Sequence, residues 1–232
     1  MRNFYKISSI TKFIVLISFL LGSNLAWSQA DNKTDENGLK QGYWVKKEKN
    51  GKIKYRGQFT DDIPYGKFKY YDSKGVLSSV LVYQSPDSVL ATHYHPNGKK
   101  SGFGYYVSKK KEGVWRFYDR EGILSSKVTY ANNLKNGEYK VYNLDGSLSR
   151  ETIFINDVEN GYRKTFSSDG ELLTEGEILD GQQEGMQIIY RSGKINIKGA
   201  YKHAVRQGDW FYYDEEGKQY KMEHYELGVK TN

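Results

Sequence analysis

The sequence predicts an all-β protein: eight tandem β-hairpin repeats of about 24 residues forming an elongated, twisted, single-layer antiparallel meander. Three observations carry this. Glycine recurs at Gly51, Gly75, Gly98, Gly122, Gly146, Gly170, Gly193 and Gly217, every 23 or 24 residues. Such a period marks units that cannot bury an apolar face alone and must stack. A second series lies fifteen residues behind the first, at Gly66, Gly113, Gly137, Gly161, Gly185 and Gly208, with Gly42 at its head and Leu90 as its break. Between the glycines run alternating, aromatic-rich segments, and no 3.6-residue apolar period persists for three turns.

Each repeat resolves into strand, turn, strand and turn. The best-kept stretch is Gly-x-Trp-x-x-Tyr-Asp-x-x-Gly, as in Gly113–Gly122 and Gly208–Gly217. Its Asp-x-x-Gly end is turn chemistry: a short acceptor bonding its own backbone, then a glycine free to take positive φ. A second strand ends on an aromatic at Phe59, Tyr83, Tyr106, Tyr130, Phe154, Tyr201 and Tyr225, with Ile178 the aliphatic exception. Polar turns such as Asn132-Asn133 lead to the next repeat. Tyr71, Tyr118, Tyr142, Phe166, Tyr190 and Tyr213 form a first-strand column, expected to build cross-strand ladders with the second-strand aromatics. These ladders assign a structural role to most of the 21 tyrosines.

Residues 1–30 read as a secretory signal peptide: a basic start (Arg2, Lys6, Lys12), an apolar run from Phe13 to Leu21, and small residues at Ser28 and Ala30 before a cleavage point. The apolar run is too short for a membrane span, and no second one follows. The expected destination is the periplasm or the exterior, as a soluble chain. Without cysteine there is no lipidated anchor and no disulfide. Residues 31–41 form a polar lead-in and 42–232 the array. The formal charge is +7; removing the three leader cations from 35 leaves 32 against 28, or +4, spread through every repeat. Alternating signs on exposed positions argue for a solvated surface and against a nucleic-acid footprint. A mean hydropathy of −0.76 suits a thin sheet rather than a thick core.

The Gly-x-Trp-x-x-Tyr-Asp-x-x-Gly unit, closed by a second strand and a turn like Asn133-Leu134-Lys135-Asn136-Gly137, resembles the MORN-repeat variant and is similar to bacterial proteins grouped as YwqK-family antitoxins. The resemblance spans about residues 40–232. It implies an extended β-meander used for binding or scaffolding. An antitoxin or immunity role would imply a partner toxin, met here outside the cytoplasm.

Candidate chemistry is sparse. His93 and His95 lie two apart on one strand, a spacing that offers two metal ligands but no third, so no metal is assigned. His95 is read as occupying the tyrosine column. Asp72, Asp119, Asp145, Asp169 and Asp214 are read as one register of structural turns, with too few oxygens apiece for calcium. Gly102-Phe103-Gly104 precedes no helix and is no phosphate loop. No catalytic constellation is evident, so the chain is read as non-enzymatic and without a cofactor.

Two binding classes remain. One is a protein-interaction module whose partner is an envelope or secreted protein. The other is a cell-wall glycan binder using Trp44, Trp115 and Trp210, in a column loosely like that of choline-binding repeats. Burial of Trp115 and Trp210 would discriminate them. The third repeat, residues 84–97, stands out as the contact region: it loses its glycine at Leu90, gains Pro86 and carries His93 and His95, and is expected to bulge or kink the ladder.

Overall fold

The computed structural model describes residues 32–231; the leader, residues 1–30, lies outside them. Nineteen strands, from Lys33–Thr34 to Val229–Lys230, follow one another without a helix among the described residues. Each pairs antiparallel with its neighbours in sequence, giving one open sheet. The one interruption is at Asn160, where Leu148–Ile155 faces both Val158–Glu159 and Gly161–Phe166.

Two turn types alternate. Within a repeat, the Gly75 N–H donates to the Asp72 carbonyl, and the Asp72 N–H donates to the Val76 carbonyl. Gly75 sits at φ 87°, the left-handed position that closes a type I turn with a bulge. Between repeats, two residues of positive φ make a type I′ turn, as at Asn132 (φ 53°) and Asn133 (φ 75°). These turns also staple neighbours: the Asn133 N–H donates to the Lys111 carbonyl, and the Lys111 N–H donates to Asn133 Oδ1.

The second glycine series makes bulges. Gly113 holds φ 66°, and facing it the ladder shifts register between Phe103 and Tyr105. The same shift recurs beside Gly66, Gly137, Gly185 and Gly208. Gly161 also takes positive φ, at 128°. The bulge seats the residue two places on, Trp115, over the strand before it. There a further glycine waits: a Cβ at Gly104 would fall inside the Trp115 ring, and one at Gly199 inside the Trp210 ring. The Trp115 indole N–H donates to the Tyr105 carbonyl at 2.9 Å, and that of Trp210 to the Ala200 carbonyl at 3.2 Å. Gln187 over Gly176 repeats the arrangement with its amide, donating to the Glu177 carbonyl at 2.8 Å. Phe68 lies over Gly57 in the same way. Trp115, Trp210 and Phe68 are the largest fully buried side chains.

One face of the sheet therefore carries a series of ring stacks, which includes Tyr55–Phe68, Phe68–Tyr83, Tyr106–Trp115, Tyr139–Phe154 and Tyr201–Trp210 at centroid distances of 6.1, 5.1, 4.8, 5.5 and 5.1 Å. A column of cations lies over it at the start of each first strand. Lys111 Nζ sits 5.1, 5.1 and 4.9 Å from the rings of Trp115, Phe117 and Tyr130. Lys40, Lys135 and Arg206 repeat this, with Arg206 only 4.2 Å from Trp210. Each such contact contributes on the order of 0.5–2 kcal/mol.

Polar side chains replace rings at two points. Arg163 stands in the tryptophan column and donates twice to Glu159, which also accepts from Thr152 at 2.6 Å. Glu223 accepts from Lys221, Lys230, Tyr212 and Tyr225. Those bonds, led by that of Lys221, hold its carboxyl well below the usual range.

Two expected columns are corrected. The ladder runs through the residue before each predicted tyrosine: Tyr70 and Phe117 join the stack. Tyr71, Tyr142 and Tyr213 point to the opposite face, under Arg56, Lys127 and Lys198 at 5.2, 5.5 and 5.4 Å. Tyr190 donates to Glu175 on that face, which pushes its phenol up to about 12. Tyr118 follows Phe117 at a register shift, and its carbonyl accepts a bond from His95. The cause is pleat parity, since adjacent residues face opposite ways. The carboxylates also fall in two positions. Asp72, Asp119 and Asp214 open their turns and accept backbone N–H bonds, whereas Asp145 and Asp169 sit two residues later, behind Asn143 and Ser167.

Two outcomes follow. Gly104→Ala is expected to cost about 1–3 kcal/mol by overpacking against Trp115. Gly102→Ala, whose Cβ meets nothing closer than 3.7 Å, stays within about 0.5 kcal/mol of the parent in urea unfolding. Because the Glu223 carboxyl is depressed, its contribution is present above the unfolded-state value of about 4.3 and is lost as pH falls further. Protection factors for the amides of residues 219–230, taken against the intrinsic exchange rate at each pH, should fall on acidification, and Glu223→Gln should remove that dependence while lowering protection at neutral pH.

Candidate functional site

The cation column is broken twice, and at one of the two breaks neither a charge nor an amide takes its place. Counting by the repeat from Lys40, its positions are Lys40, Pro64, Ser88, Lys111, Lys135, Glu159, Gln183, Arg206 and Lys230. Pro64 and Ser88 cannot lie over a ring as a cation does. The stack is open there, leaving a groove of about 820 Å³ lined by Pro64, Leu81, Tyr83, Pro86, Val89 and Tyr106, with Asp87 and Lys109 at its rim.

The third repeat produces this opening by being regular. Leu90 removes the bulge, and the pairing of Leu77–Tyr83 with Ser88–Tyr94 has no register shift, the reverse of the expected kink. Without a bulge no large ring is thrown onto the preceding strand. Ala91, fully buried, fills the position opposite Leu81 and Gly104. The groove floor is thus aliphatic, with tyrosine walls.

The opposite face is apolar at the same place. Leu90 pairs with Val82 on one side and Tyr105 on the other. Tyr105, Val107 and Val114 continue the strip at 39%, 42% and 44% exposure. In the adjoining row of this face, Val80, Thr92 and Phe103 stand where other repeats pair Arg56 with Lys69 and Lys127 with Lys140.

The candidates chosen from sequence therefore separate. Pro86 lines the groove, and Leu90 lies behind it on the opposite face. His93 belongs to the ring stack, 5.9 Å from Trp115 and nearly parallel to it, with Nδ1 at 2.8 Å from Ser79 Oγ and Nε2 at 3.3 Å from Tyr106 Oη. Burial, then the nearby Lys111, lowers its pKa and favours the neutral ring. His95 does not occupy the tyrosine column; Tyr94 does. His95 opens the turn in place of aspartate, its Nε2 at 2.9 Å from the Tyr118 carbonyl. Both imidazoles are spent within the sheet. Among the described residues no three His, Asp or Glu side chains gather as a metal site would need.

Trp115 and Trp210 are buried, at 0% and 1% exposure, so their faces are closed to a sugar. Trp44 donates to the Lys33 carbonyl and lies under Lys40. The lysine column went unrecognised in the sequence because lysine also populates every turn. Aligning the repeats on the glycines would have exposed Pro64 and Ser88 as its gap.

Against known proteins, the family model described as the MORN repeat variant matches residues 111–132. No curated protein matches the chain. Among solved structures, a point mutant of S. aureus TarM, in complex with fondaparinux, alpha-GlcNAc-glycerol and UDP, aligns at 11% identity and TM-score 0.32 over 41% of this chain and 19% of that one. A TcdB2-TccC3-Cdc42 structure aligns at 12% identity and TM-score 0.20 over 80% of this chain and 14% of that one. The chain thus spans a small part of the length of either. Residues 111–132 are matched as one MORN-variant repeat, and they run from the ring-covering Lys111 through the Trp115 cradle to the next type I′ turn.

Proposed function

We propose that this protein is an exported, non-catalytic interaction module that binds an envelope or secreted protein through its third repeat. A repeat sheet with a MORN-variant unit is a binding or scaffolding device, and the observation that carries the reading is the gap in the cation column at Pro64 and Ser88. There alone in the column two successive ring-covering positions hold neither a charge nor an amide, and both faces present apolar side chains. Monomeric proteins seldom leave such patches without a partner. The leader at residues 1–30 supports export, with an immunity-like role against a secreted effector as the specific form. Burial of Trp115 and Trp210 weighs against a glycan reading based on the tryptophan column.

The test is site-specific photocrosslinking in the native envelope fraction. A photoreactive residue at Val89 or Leu90 is expected to capture one defined protein, whereas one at Met186, more exposed to solvent and four repeats away, captures none. Pro64→Lys restores the covering cation and should cut capture about tenfold or more, a loss of roughly 1.4 kcal/mol in affinity, without lowering stability. Equal capture at all three positions, or capture indifferent to Pro64→Lys, overturns the proposal. Peptide mass analysis of the exported chain should show cleavage at or near Ala30.

A further inference from the structure

A second site lies at the other end of the array, on the face opposite the ring stack. The seventh repeat is closed by a two-residue turn, Ser192 (φ 48°) and Gly193 (φ 72°), where its neighbours use the longer turns opened by Ser167 and Asp214. The short turn stops below the next one, and at this step opens a recess of about 450 Å³. That is within the usual range for small-ligand sites.

Its lining departs from the repeat in one telling position. Three residues after the turn glycine, repeats two to five hold Ser78, Ser101, Ser125 and Ser149, while the first has Lys54 and the sixth Leu173. Ser78 and Ser125 satisfy their hydroxyls on the carbonyls of Tyr70 and Phe117. In the last two repeats the same position is Asn196 and Tyr220, and both line the recess. Among the described residues neither side chain has a hydrogen-bond partner in the protein, and Tyr220 is 64% exposed. Tyr213 stands in the same recess, its ring held by Lys198 at 5.4 Å. Arg191 projects from the short turn without an ion-pair partner, while Glu215 brings a carboxylate beside it.

We infer that this recess binds a neutral saccharide. The charge is balanced, Arg191 and Lys194 against Asp214 and Glu215, which favours neither an anion nor a cation. Donors (guanidinium, amide) and acceptors (carboxylate, amide oxygen) suit hydroxyl groups, which are both. Two tyrosines supply an apolar ring face with a polar tip, the amphipathic surface that a pyranose matches. The site is independent of the third repeat and owes nothing to the buried tryptophans.

The experiment uses the full chain with chitotetraose, cellotetraose and maltotetraose as soluble probes, followed by calorimetry, and insoluble peptidoglycan sacculi, followed by co-sedimentation. Saturable binding of at least one probe at concentrations up to about 10 mM is expected. Tyr220→Ser, which installs the residue of repeats two to five and so preserves the fold, should weaken it about tenfold or more. Leu90→Arg, which damages the proposed protein surface, should leave it unchanged. Binding to the tetrasaccharides would assign a free oligosaccharide, and sedimentation alone a wall polymer; both uphold the site. Absence of binding to every probe, binding indifferent to Tyr220→Ser, or loss in both variants overturns it.

Discussion

The sheet depends on one contact: a flat side chain laid on a glycine of the preceding strand. Trp115 on Gly104 and Trp210 on Gly199 bury their rings completely while bonding their indole N–H to the carbonyl beside that glycine. A single-layer sheet has no second layer to cover its apolar face, so side chains must cover backbone instead. That requires a bulge to displace the side chain and a glycine to receive it; tryptophan and glutamine add a donor for the carbonyl, which Phe68 on Gly57 does without. Gln187 shows that planarity matters more than aromaticity, since its amide rests on Gly176 and bonds the Glu177 carbonyl.

The remaining features fill in around that contact. Rings left edge-on to solvent are covered by the long side chains of Lys40, Lys111, Lys135 and Arg206, whose methylenes and charge both suit a π face. Where rings give way to polar groups, the covering position changes in step: Glu159 meets Arg163, and Lys230 meets Glu223. The column thus adapts its charge to what lies beneath it. At Pro64 and Ser88 it provides no such cover, and this places the groove beside a repeat that has also lost its bulge.

Much of this was legible in the chain. The glycine spacing gave the repeat, the strand order and both turn types, and Leu90 and Pro86 pointed to the repeat that bears the groove. Leu90 was read with the wrong sign, since it straightens the ladder where a kink was expected. His93 and His95 looked like a pair because they are two residues apart, but a turn begins between them, and each bonds a different neighbour.

By itself the sequence determined the architecture, because a period of 23 or 24 residues with fixed glycines admits few backbones. What only the tertiary structure decided was facing. Whether Tyr70 or Tyr71 enters the stack turns on where each bulge shifts the pleat, and one residue of shift sends a side chain to the other side of the sheet. The same holds for the tryptophans, which composition leaves equally suited to a sugar or a core. They are core because the glycine that accepts each ring lies eleven residues earlier, on a strand brought alongside only by pairing.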